Sequence, residues 1–222
     1  MYLILEGLMF LALAGLLAAF HSGFFVWAVL FKGLTSLFFV LAGVCGYIKY
    51  KDRERRLFSG PVCIALLFSM AGDVLLAVDQ NRGIFFVLGV VGFAAAHVMF
   101  SLSFCRMCAV EKKDMVCTAV LFAGLALVLM TGDFDFQGLL PVLLGYAAVI
   151  SFMLVKALSL WRCRQRNIKV SVLVMLGGVL FLLSDVVLLY WLFGVGMPEG
   201  VQWANWILYY MAQGCLSASL SA

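Results

Sequence analysis

The chain has 222 residues, of which 66% are hydrophobic and only 12% charged, with a net charge of +4 and a mean hydropathy of +1.14. That composition leaves little soluble mass, and the apolar runs of about 20 residues that recur from end to end mark an integral membrane protein. Nucleic acid is not implied by the positive charge, because twelve of the fifteen Lys and Arg sit in three short loops, where they report topology and contact with anionic lipid headgroups.

Long apolar runs without alternation read as helices and not as strands of a barrel. Eight spans account for the chain, at about residues 2–20, 24–48, 60–79, 83–105, 115–131, 138–160, 170–193 and 203–220. The fold class is therefore all-α, a polytopic helix bundle forming a single integral membrane domain over residues 1–222. The first segment lacks a basic leader and carries Glu6, so it is read as helix one and not as a cleavable signal. The basic loops follow spans two (KYKDRERR), four (CRMCAVEKKD) and six (WRCRQRNIK), whereas the alternate connections carry acids and only Arg82. The positive-inside bias then places both termini in the cytoplasm, and the compact loops suit a bacterial inner membrane.

Taken in chain order, span two carries Lys32 and span three Asp73. Span four carries His97 and ends in a CxxC formed by Cys105 and Cys108, span six ends near Lys156, span seven carries Asp185 and span eight Gln213. An aspartate near the bilayer centre costs roughly 2.5 to 3.5 kcal/mol, so it asks for a partner or a purpose. Counted at 1.5 Å per residue from the ends opposite the basic loops, Asp73 lies roughly 9 Å deep, Lys32 and Asp185 roughly 12 Å, Gln213 roughly 15 Å and His97 roughly 21 Å. Five helices thus direct polar side chains into one slab. Lys156, in contrast, lies close enough to a basic loop to snorkel, and Glu6 is near the same face. Gly89, Gly92, Gly177 and Gly178 permit close helix approach.

The stretch Gly72-Asp73-Val74-Leu75-Leu76 matches Ser184-Asp185-Val186-Val187-Leu188 four helices later, which points to two parallel four-helix repeats. The seven cysteines are odd in number and scattered, and are expected to be free thiols and not a disulfide framework. No metal is expected: only His21 and His97 are present, with no HExxH, and the CxxC lacks a second pair. A serine hydrolase is disfavoured by the lack of a GxSxG elbow.

Bland roles exist for each residue. Lys32 can neutralise an aspartate as a structural pair, and His97 and Gln213 can be interhelical hydrogen-bonding glue. The aspartates resist such a reading, because one lysine does not compensate two carboxylates. Two carboxyl groups in unequal surroundings are a natural general acid and general base. Asp73, His97 and Asp185 could equally form the relay of a small proton-coupled transporter with Lys32 as counter-ion, and a structural or lipid-binding bundle is a third alternative.

The order Lys32-Gly33-Leu34, then Ala71-Gly72-Asp73-Val74-Leu75-Leu76, then Gly89, Phe93, His97 and Phe100, then Phe181, Ser184, Asp185 and Leu188, then Tyr210 and Gln213 resembles the YhhN-like lysoplasmalogenase family from about residue 30 to 216. The resemblance implies a multi-pass hydrolase that takes a lysophospholipid from the bilayer. It would cleave the vinyl ether bond of lysoplasmalogens to a fatty aldehyde and glycerophosphocholine or glycerophosphoethanolamine, without a cofactor. It makes Asp73 and Asp185 the catalytic pair and puts Lys32, His97, Ser184 and Gln213 in the site. Gly33, where the pattern has proline, and Phe100, where it often has tyrosine, are departures that leave the aspartates untouched.

Overall fold

A computed structural model of the chain describes residues 1–49, 53–79, 83–163, 167–196, 198 and 200–222. Lys51, Arg82, Arg164 and Arg166, which enter the loop-charge pattern, lie outside the described residues. The described residues form eight helices: α1 (Tyr2–His21), α2 (Phe25–Lys49), α3 (Arg53–Val78), α4 (Ile84–Met107), α5 (Lys112–Thr131), α6 (Leu140–Ser159), α7 (Ile168–Phe193) and α8 (Gly200–Ala218). The chain is thus all-α among these residues, apart from an isolated bridge between Phe134 and Gly194 that ties the α5–α6 loop to the end of α7.

Seven of the helices, α1 to α7, are long and apolar enough to cross a membrane. The eighth differs from the expected span for a physical reason. Its Asn205, Tyr209, Tyr210, Gln213 and Ser217 are all buried, so the polar groups that lower its hydropathy face the bundle and not lipid. α8 packs on α1, α2, α3 and α7, which supply that interior. A second difference is the start of α3, which begins before Pro61 and continues through it. The basic residues of the preceding loop extend this helix by about two turns beyond the apolar run.

Neighbouring helices repeat with a period of four. α1–α2, α2–α3 and α3–α4 pack together, as do α5–α6, α6–α7 and α7–α8, and the halves join through α2 on α8 and, equivalently, α6 on α4. The same shift relates the polar residues: Asp73 to His97 is 97 − 73 = 24 residues, and Asp185 to Tyr209 is 209 − 185 = 24. The repeat breaks at α5, which among the described residues packs on α6 alone. A cleft therefore opens between α5 and the α4–α7 side.

Close approach is concentrated where it positions the site. A Cβ on Gly72 would lie 2.7 Å from the Phe93 ring, so the glycine makes room for that aromatic at the α3–α4 crossing. α4 and α7 do not pack backbone to backbone. The buried ring of Phe181 fills the space between them, edge-on to His97 at 4.6 Å and to Tyr209 at 5.4 Å between ring centroids.

Candidate active site

The two aspartates are held by equivalent helices, each completed by the last helix of the other half. Asp73 on α3 is buried. Its Oδ2 accepts hydrogen bonds from the Ser36 hydroxyl of α2 and the Tyr209 hydroxyl of α8, both at 2.7 Å. The Lys32 ammonium lies 3.7 Å from Oδ1. Ser36 and Lys32 are one turn apart and so share a face of α2. Tyr210 donates to the Lys32 carbonyl at 3.2 Å, which anchors that turn to α8.

Asp185 on α7 has different company. Tyr146 of α6 donates to its Oδ2 at 2.6 Å, and His97 Nε2 of α4 lies 2.8 Å from the Tyr146 oxygen and 3.4 Å from the same carboxylate oxygen. Because the Tyr146 proton is committed to Asp185, its oxygen accepts from His97, which places a proton on Nε2. Nδ1 is buried without a hydrogen-bond partner. No lysine or arginine pairs with Asp185 among the described residues, in contrast to Asp73.

Both carboxyl groups line one cavity of about 450 Å³, together with Lys32, Asn205 and, toward the loop end, Asp79 and Gln202. A second space of about 290 Å³ is almost wholly apolar and occupies the cleft beside α5, lined by Leu125 and Leu129 of α5, Ala147 and Ile150 of α6, Val90 of α4 and Leu189 of α7. The two share Leu76, Phe86, Phe93, Asp185, Leu188 and Leu192 as a common wall. Asp185 therefore faces both spaces and Asp73 only the polar one.

The sequence matches the YhhN family over residues 27–220. The chain belongs to the YhhN family. Comparison with curated proteins and with solved structures gives no match.

Within this YhhN-family bundle, the residues singled out from the sequence divide into three groups. Lys32, Asp73 and Asp185 line the polar cavity. His97 stands behind Asp185, joined to it through Tyr146. Ser184 and Gln213 do not line either space: the Ser184 hydroxyl turns back to the Phe181 carbonyl of its own helix at 2.8 Å, while its carbonyl accepts from Asn205 at 2.7 Å. The buried Gln213 carboxamide sits near the Tyr209 phenol without completing a hydrogen bond. Sequence reasoning missed Ser36, Tyr146 and Tyr209. The 24-residue step from Asp73 to His97, applied from Asp185, would have found Tyr209.

At the basic end of the bundle the structure corrects two expectations. Lys156 does not snorkel; it is fully buried and donates to Asp114 at 3.0 Å and to the Ala109 carbonyl at 3.1 Å. The snorkelling expectation assumed an open helix end, but the start of α5 covers it. Arg162 completes the cluster with a bond to Asp114 at 2.9 Å, which raises its guanidinium above the usual value. Cys108 and Cys163 form a disulfide that joins the end of α4 to the turn after α6, so the cysteines are not all free thiols. Spacing hid this pair, since its members are 55 residues apart and only the packing of α6 on α4 unites them.

Proposed function

We propose that this protein is a membrane hydrolase that cleaves the vinyl ether bond of lysoplasmalogens, releasing a fatty aldehyde and a glycerophosphocholine or glycerophosphoethanolamine. The observation that carries this reading is the pair of carboxyl groups in unlike surroundings facing one cavity, which adjoins an apolar cleft. A single-chain lipid needs both spaces, one for its headgroup and one for its chain.

The chemistry asks for an acid and a base. Proton delivery to the alkene carbon next to the chain makes an oxocarbenium ion. Water adds to the oxygen-bearing carbon and gives a hemiacetal, which collapses to aldehyde and free glycerol hydroxyl. Paired carboxyl groups serve an oxocarbenium-like state in the same manner during glycoside hydrolysis. Water and lipid balance the equation. Lys32 holds Asp73, and the His97–Tyr146 pair holds Asp185. The positive-inside bias of the basic loops supports cytoplasmic chain ends in a bacterial inner membrane, with Asp79 and Gln202 of the cavity toward the opposite face.

The repeated four-helix pattern and the hydrogen-bonded His97–Tyr146–Asp185 chain support a second reading, a proton-coupled transporter. Purified protein in detergent, given an alkenyl lysolipid beside its saturated alkyl analogue, separates the two. The hydrolase releases aldehyde from the alkenyl lipid alone. A transporter leaves both lipids intact and, in liposomes, gives flux that follows an imposed pH gradient.

A further inference from the structure

We infer that Asp185 is the acid that protonates the alkene and Asp73 the base that receives the proton of water, an assignment that rests on the vinyl ether reading above. The two spaces fix the direction in which an alkenyl lipid lies. Its chain takes the apolar cleft between α5 and the α4–α7 side, because the polar cavity alone carries Lys32, Asp79 and Asn205. The vinyl ether then straddles the shared wall.

In that pose the two reacting carbons differ. The carbon that gains a proton is the one nearer the chain, and Asp185 is the carboxyl that faces the cleft as well as the cavity. The carbon that water attacks is one bond nearer the headgroup, inside the cavity that Asp73 lines. The partners agree with this division. Asp73 has two hydroxyls donating to Oδ2 and an ammonium 3.7 Å from Oδ1, partners that suit a group receiving a proton from water. Asp185 has its Oδ2 held by Tyr146, with His97 Nε2 at 3.4 Å from the same oxygen, and Oδ1 is left to carry a proton toward the substrate.

The cycle closes without an outside proton. The Asp185 carboxyl gives its proton to the chain-side carbon, and Asp73 takes one from the attacking water. In the collapse, Asp73 returns that proton to the departing glycerol oxygen while the Asp185 carboxylate takes the hemiacetal hydroxyl proton. Both groups end as they began. Tyr146 is the positioning residue that aims Asp185.

Azide tests the assignment, because it attacks an oxocarbenium ion without needing a base. In Asp73→Ala, sodium azide should restore consumption of the alkenyl lysolipid at least tenfold, with solvent supplying the net proton and an azido ether or aldehyde as product. Asp185→Ala should show no rescue. Asp73→Asn, which keeps the volume of the side chain, is run in parallel with gel filtration to confirm that a folded bundle is being compared. Rescue of Asp185→Ala, or of neither variant, overturns the assignment while leaving the hydrolase reading intact. A parent protein that releases no aldehyde overturns both. Leu125→Trp, which narrows the cleft, tests the pose on which the assignment depends: it should lower kcat/KM for a long alkenyl chain about tenfold more than for a short one. An equal effect on both overturns the pose and the assignment together.

Discussion

Tyr146→Phe perturbs the site at its most economical point, since it removes one oxygen atom that serves both Asp185 and His97. The hydroxyl donates at 2.6 Å to the carboxylate and accepts at 2.8 Å from His97 Nε2. Loss of a hydrogen bond to a developing charge in a water-poor site costs about 10²- to 10³-fold in rate. His97 offsets part of this, because its Nε2 already lies 3.4 Å from the same carboxylate oxygen and can close on it. The expected net effect is a kcat about 10- to 100-fold lower with KM nearly unchanged, since the phenol ring and its lining of the cleft remain. The stability cost is one donor losing its acceptor at a buried histidine, about 1 to 3 kcal/mol before any repair by Asp185. Kinetics of aldehyde release and a melting curve in detergent measure both quantities. An unchanged kcat would refute the view that Tyr146 aims Asp185.

Three further outcomes follow from other parts of the bundle. Asp114→Asn leaves the fully buried Lys156 without its counter-charge, so thermal stability should fall by about 3 to 5 kcal/mol; replacing Lys156 by Met in the same chain should recover much of it. Gly72→Ala drives a methyl group into Phe93, which packs on Tyr209, a donor to Asp73; a loss of about 1 to 3 kcal/mol with reduced activity is expected, and Phe93→Leu should relieve it. Ser184→Ala removes a hydroxyl spent on its own helix, and activity should stay within about twofold of the parent, as expected where no transition-state contact is lost.

The helices and both aspartates were legible because they depend on local properties. An apolar run of sufficient length becomes a helix in lipid whatever its neighbours, and a carboxylate within such a run is conspicuous by its cost. Tyr146 and Tyr209 were hidden for the converse reason: a tyrosine in an apolar helix is cheap and common, and only packing shows that its hydroxyl meets a carboxylate. Depth counting misled at Lys156, since distance along one helix says nothing of the helix that covers its end. It also set His97 well below Asp185, although Tyr146 bridges the two in the fold. The sequence marks α8 by Tyr210 and Gln213, yet Asn205, Tyr209 and Ser217 are buried beside them and make it the helix that closes the interior. The parallel repeat was visible as a short match around each aspartate, and the paired helix contacts extend it to most of the bundle, failing where, among the described residues, α5 and α7 do not pack on α4.

The central claim is that both aspartates are needed for one hydrolytic reaction. Aldehyde release from a lysoplasmalogen, followed by a coupled dehydrogenase with purified parent, Asp73→Asn and Asp185→Asn in detergent, tests it most directly. The account predicts turnover by the parent and a loss of at least about 10²-fold in each variant, the scale of removing a general acid or base, while all three samples remain folded. Parent-like turnover in either variant would contradict it.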